Sequence, residues 1–198
     1  MYKYAEFYCT QDVRILRESF NIFRTGFKSD FNIDVFNFIS ISSLANEVFR
    51  QNVYIPNQKL YKLGGHVRHF CSKAVYGGRC MCAFNKKWHI KANLCDYDAV
   101  SLYPSAMARL WTVEGKPKVI EQEQLNMDFL SEQTAYIVQI KITEVRKHYP
   151  FPLIVQKKDG LNLNDDNITE PIMMIVDNIY LEDLINFQNI EFELIKGY

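Results

Sequence analysis

Two carboxylates, Asp96 and Asp98, lie two residues apart in the short segment NLCDYDAV, residues 93–100, which runs directly into Ser101-Leu102-Tyr103-Pro104-Ser105. On an extended strand, residues two apart share a face, so the two acids project together. A carboxylate on a segment that otherwise reads as buried is costly unless it is paired, hydrogen-bonded or bound to a metal. The sharp break at Ser101 presents backbone N–H groups beside the acids. Such groups suit phosphate oxygens, and the carboxylate suits a divalent cation bridging to them. The chemistry on offer is metal-assisted phosphoryl transfer. The competing reading is that both acids cap the following turn.

The elements that must position these residues follow from pattern. Val13, Leu16, Phe20 and Phe23 recur at three- and four-residue spacing, predicting a helix over residues 5–24 with Gly26 as its stop. Residues 31–39 read as strand-like or buried, and residues 42–51 as a short helix capped by Ser42 or Ser43. Two glycine pairs, Gly64-Gly65 and Gly77-Gly78, signal tight backbone or close approach of a ligand. Residues 93–100 read as a buried strand, followed by a helix from about Pro104 to Leu110 with the proline in its first turn. Beyond Gly115 the pattern predicts a strand at 135–145, a turn at Lys158-Asp159-Gly160 and a strand at 172–176. A helix capped by Asp177 or Asn178 then runs to about Phe187, and a strand at 191–195 closes the chain. The fold class is α+β.

Composition narrows the classes. The 198 residues are 48% hydrophobic, with few glycines and prolines, which excludes a disordered or low-complexity chain. No apolar run approaches the roughly 18 residues of a membrane span. Five cysteines without an apolar signal region point to an intracellular, reducing compartment. Net charge is zero, yet residues 1–91 carry +8 and residues 92–198 carry −8. The basic half suits a polyanion; two ordinary solvated surfaces explain the asymmetry as well. No Walker loop, dinucleotide-binding glycine pattern or nucleophile elbow is present.

Asp98-Ala99-Val100-Ser101-Leu102-Tyr103-Pro104-Ser105 resembles the first palm motif of family B DNA polymerases, D-x-x-S-L-Y-P-S. The following Ala106-Met107, and Tyr76-Gly77-Gly78-Arg79 some twenty residues upstream, are similar to the protein-primed branch. That branch serves phages, linear plasmids and adenovirus-like elements. The family usually has Asn where Val100 stands, and its glycine-pair motif usually reads Tyr-x-Gly-Gly, whereas Val75 and Tyr76 precede the pair here. The resemblance implies that Asp98 is a catalytic, metal-binding aspartate and that the carbonyl of Ala99 completes a site for one of two Mg²⁺ ions. Ser101, Leu102 and Tyr103 would bind the deoxynucleoside triphosphate, the amides of Leu102 and Tyr103 holding its phosphates. The Tyr103 ring would lie beneath the sugar and exclude a 2′-hydroxyl. Tyr76, Gly77, Gly78 and Arg79 would contact template-primer DNA, Arg79 through phosphate. Asp96 matches no fixed ligand of the family.

Tyr8-Cys9-Thr10-Gln11-Asp12 is similar to the third motif of the 3′–5′ proofreading exonuclease, Y-x-x-x-D. Tyr8 and Asp12 share a helix face, with Asp12 beside the apolar stripe. By resemblance Asp12 binds metal and Tyr8 orients the attacking water. The implied organisation is the end of an exonuclease domain (1–28), a connector and the start of the palm (29–115), and an insertion (116–198) that meets a terminal protein and the primer duplex. A later Y-x-D-T-D motif and two earlier exonuclease motifs are absent, so the expectation is a central polymerase fragment that neither polymerises nor proofreads alone. The alternatives are a truncated or decayed product that only binds DNA or a partner, and a free-standing exonuclease.

Three further clusters carry weaker signals. His66, His69, Cys71, Cys80 and Cys82 fit no standard zinc spacing and read as a basic stretch with buried thiols. Residues 85–91, NKKWHIK, suit a grip on single-stranded DNA or a solvated hairpin tip. Residues 161–169, LNLNDDNIT, lack the central glycine of a calcium loop and read as plain surface.

Overall fold

In the computed structural model the described residues are 2–56, 60–109, 113–158 and 161–198. Leu110, Asp159 and Gly160, expected at a helix end and in a turn, lie outside them. The architecture is mixed α+β, divided into two compact units, residues 1–60 and 61–198.

The first unit is helical. Helix α1 spans Tyr2–Phe31 and passes through Gly26, the expected stop. An interior glycine costs only about 1 kcal/mol relative to alanine. The rings of Phe23, Phe27 and Phe31, with centroids 4.9 and 5.0 Å apart in sequence, carry the helix past it. The chain turns out of the helix at Asn32, whose φ of 54° is left-handed and whose amide donates to the Lys28 carbonyl at 3.1 Å. Residues 31–39 form no strand. Asp34 accepts from the Phe36 amide at 3.1 Å and pairs with Arg24 at 2.6 Å, and a 3₁₀ turn at Val35–Asn37 results. A side chain that bonds its own backbone two residues on favours a turn over a ladder. Helix α2, Ile41–Phe49, is capped by Ser40 in place of Ser42 or Ser43. Ser40 Oγ accepts from the Ser43 amide, and Ser43 Oγ accepts from the Ser40 amide, each at 3.2 Å. This is a capping box with serine in the usual Glu/Gln position. Ile33, Val35 and Leu44 make a small core, flanked by Phe27, Phe38 and Val48.

The second unit holds the larger core. Its helices are α3 (Gly65–Ser72), α4 (Leu102–Met107), α5 (Met127–Ser131) and α6 (Asn178–Gln188). Its strands are β1 (Ile137–Val145), β2 (Val155–Lys158), β3 (Leu161–Asn164), β4 (Ile172–Asp177) and β5 (Ile190–Gly197). An antiparallel sheet of order β4-β1-β5 and an antiparallel β2–β3 pair result. Central strand β1 alternates, with Val138, Ile140 and Ile142 fully buried. Leu181 and Leu184 of α6 join them, and each such side chain contributes about 1.5–3 kcal/mol on burial. Asp177 caps α6 as expected, accepting from the Tyr180 amide at 2.8 Å. Gly197 is fixed by packing, because a Cβ there would stand 2.8 Å from Ile120 Cδ1 and 3.0 Å from Val138 Cγ1.

Candidate functional site

The Asp96–Asp98 segment departs from the buried strand expected for it. Residues 93–100 are irregular and exposed, both aspartates included. A strand needs a neighbour to satisfy its N–H and C=O groups, and among the described residues no strand of either sheet pairs with 93–100. The acids therefore carry no burial cost. What the sequence pattern does place correctly is the break. Ser101 has φ 50° and ψ 42°, a left-handed conformation that costs an L-residue about 1–2 kcal/mol. Helix α4 starts at the next residue, and the Ser105 amide donates to the Ser101 carbonyl at 2.8 Å. Leu102 and Tyr103 thus occupy the first turn, where amides have no intrahelical acceptor. Pro104, third in the helix, has no N–H to leave unpaired.

The glycine-pair segment 76–79 lies beside this helix. A Cβ built on Gly78 would stand 2.6 Å from the Tyr103 hydroxyl oxygen, so the two segments that carry the resemblance touch. On its other side the segment is anchored. The Tyr76 hydroxyl donates to the Ile175 carbonyl of β4 at 3.0 Å, and its ring centroid is 5.2 Å from that of Tyr180 on α6. Burial raises both phenols above their ordinary pKa, Tyr180 further than Tyr76. Arg79 Nη1 donates to the carbonyls of Phe151 at 3.2 Å and Pro152 at 3.4 Å. The expected phosphate contact is therefore already committed at one nitrogen to the 151–152 backbone. A cavity of about 580 Å³ lies between this segment, the β2–β3 hairpin and α6, lined by Gly77, Arg79, Asn85 and Tyr180 among others. Neither Asp96 nor Asp98 lines it.

The backbone that receives Arg79 is braced from below by two residues that the sequence reading overlooked. Gln188 is fully buried; its Oε1 accepts from the amides of Leu153 at 2.9 Å and Ile154 at 3.3 Å. Its Nε2 donates at 3.0 Å to Asp166, which also accepts from the Tyr149 amide at 2.8 Å and faces His148 Nδ1 at 3.3 Å. Asp166, read as part of a plain surface loop, is 5% exposed. Gln188 follows Leu184 by four and Leu181 by seven, which placed it on the buried face of α6; its polarity masked that signal.

In the first unit, Tyr8 and Asp12 are exposed on α1, and the Tyr8 ring stacks on Tyr4 at 6.5 Å. The stripe beside Asp12 is itself largely exposed, with Val13 and Leu16 both more than half accessible. Among the described residues no three His, Cys, Asp or Glu side chains converge as a metal site. That includes His66, His69, Cys71, Cys80 and Cys82, and four of the five cysteine thiols are those of exposed residues. Residues 85–91 form no hairpin; Trp88 is tied by its indole N–H to the Ala83 carbonyl at 3.0 Å.

Residues 2–198 match the family described as DNA polymerase type B, organellar and viral. A probable DNA polymerase of Ascobolus immersus is 30% identical over 110 residues, which are 56% of this chain and 9% of the relative. The matched stretch spans less than a tenth of the length of that curated relative. No solved structure gives a significant match.

Proposed function

The chain belongs to the organellar and viral type B DNA polymerases, and from that premise we propose that it carries the first palm segment of a template-directed nucleotidyltransferase. The observation that carries the reading is local. An exposed carboxylate, Asp98, stands three residues ahead of the left-handed bend at Ser101 that opens α4, with Tyr103 seated against Gly78. In this reading the amides of Leu102 and Tyr103 bind the triphosphate oxygens of a deoxynucleotide, and the Tyr103 ring lies beneath its sugar.

The carboxylate of Asp98 and the carbonyl of Ala99 are hard oxygen donors of the kind Mg²⁺ takes alongside substrate phosphates. When bound, Mg²⁺ neutralises charge that develops on the transferring phosphoryl group. Further acids come from other parts of a longer polymerase, so residues 1–198 alone neither polymerise nor proofread. Tyr8 and Asp12 belong to the 3′–5′ exonuclease, and residues 116–198 to an insertion that meets a terminal protein whose hydroxyl starts the new strand. The setting is intracellular, in cytoplasm or mitochondrion.

The test is incorporation of labelled deoxynucleotides by the polymerase polypeptide that contains this chain, with a DNA primer or a terminal protein as hydroxyl donor. Magnesium-dependent products that copy the template support the reading. Products that ignore the template, or none with either donor, overturn it.

A further inference from the structure

Gly77 and Gly78 are adjacent, and neither has the positive φ that reserves a position for glycine. Their surroundings differ. A Cβ on Gly77 would meet nothing within 4 Å, whereas one on Gly78 would stand 2.6 Å from the Tyr103 hydroxyl oxygen and 4.0 Å from the ring carbon that bears it. We propose that Gly78 is a positioning residue for Tyr103, its missing side chain setting how deep the ring sits and thereby the sugar selectivity of the nucleotide site. The selectivity part rests on the reading of Tyr103 as the residue beneath the sugar.

The contact has one fixed side and one yielding side. Gly78 is flanked by Tyr76, bonded to the Ile175 carbonyl, and by Arg79, bonded to the carbonyls of Phe151 and Pro152. Tyr103 is 66% exposed, and among the described residues its hydroxyl makes no hydrogen bond. Ordinary contact begins near 3.4 Å, so a methyl group at position 78 displaces the tyrosine hydroxyl by about 0.8 Å. The ring moves and the anchored segment stays, because an exposed side chain rotates at less cost than the anchoring hydrogen bonds of Tyr76 and Arg79 break. Stability is therefore nearly unchanged in Gly78→Ala while the ring position is not. The offending atom is the hydroxyl alone: the ring carbon at 4.0 Å is already at ordinary contact distance, so Tyr103→Phe removes the conflict.

The contact is tested in the full 198-residue chain with 3-fluorotyrosine placed at position 103. The fluorine resonance is expected to shift in Gly78→Ala and to stay in Gly77→Ala, with thermal unfolding midpoints within a few degrees of the parent. An unmoved resonance in Gly78→Ala, or an equal shift in Gly77→Ala, overturns the proposal. The consequence is tested in the polymerase containing this chain by the ratio of kcat/KM for deoxy- over ribonucleotides. A displacement near 1 Å at a reacting ligand costs up to about 10²-fold, so Gly78→Ala is expected to lower the ratio by about 10–100-fold, and by less than about 2-fold in the Y103F background. Equal losses in both backgrounds refute the positioning role. A parent enzyme that performs no templated synthesis refutes the sugar-selectivity role together with the polymerase reading, while the fluorine result decides the contact.

Discussion

Replacing Gln188 by alanine is expected to destabilise the second unit by about 3–6 kcal/mol. The side chain is fully buried and accepts two backbone N–H groups, from Leu153 and Ile154, at 2.9 and 3.3 Å. Its amide nitrogen also donates to the buried Asp166 carboxylate at 3.0 Å. Truncation leaves two orphaned donors and a carboxylate short of one partner, and each unsatisfied group costs about 1–3 kcal/mol. The estimate takes the lower half of that range for three groups, since Asp166 keeps the Tyr149 amide and His148. For a unit of this size the loss corresponds to a fall in unfolding midpoint of about 10 °C or more. Gln188→Glu keeps the acceptor oxygen but sets a second carboxylate beside Asp166; it is expected to be at least as damaging at neutral pH and to recover on acidification. Urea unfolding followed by far-UV circular dichroism measures both. A loss below 1 kcal/mol for the alanine variant refutes the view that Gln188 braces the 149–154 backbone on which Arg79 rests.

Ser40→Ala is expected to cost about 1 kcal/mol through loss of the α2 cap, and Ser42→Ala less than about 0.5 kcal/mol, by the same unfolding measurement; the reverse order contradicts the capping box. Hydrogen bonds from Arg50 and Gln51 lower the Glu47 carboxyl from its ordinary 4.5 to about 2. Its pairing therefore contributes stability above about pH 4.5 that is lost as pH falls toward 2. Carbon NMR of the Glu47 carboxyl checks this, and a midpoint above 4 contradicts it. Tyr76→Phe leaves the Ile175 carbonyl without its 3.0 Å donor and is expected to cost about 1–2 kcal/mol, read by urea unfolding. No measurable loss would show that this anchor of the glycine-pair segment is dispensable.

Where burial follows a clear period, sequence and structure agree. Strand β1 with its buried Val138, Ile140 and Ile142 was legible from alternation, and α6 from its expected cap at Asp177 or Asn178. The failures share a cause. Residues 93–100 have strand composition, but a strand is a pairing, and a single segment does not reveal whether a partner exists. Gly26 reads as a stop, yet the phenylalanines flanking it supply continuous ring contacts that outweigh one glycine. At the site, the Ser101-Leu102-Tyr103 bend was legible because its motif is contiguous. The meeting of Gly78 with Tyr103 was not, since it joins residues 25 positions apart. Buried Gln188 and Asp166 were hidden because polar residues are mostly exposed, and only the fold shows their donors and acceptors satisfied.

The central claim is that Asp98 serves nucleotidyl transfer beside the Ser101 bend. Single-nucleotide incorporation on a primed template by the complete polymerase bearing Asp98→Asn tests it most directly. The rate is expected to fall by about 10²–10³-fold or more, the scale on which one charge-stabilising group acts at a reaction centre, and by less than tenfold in Asp96→Asn. An Asp98→Asn enzyme that incorporates within tenfold of the parent contradicts the account.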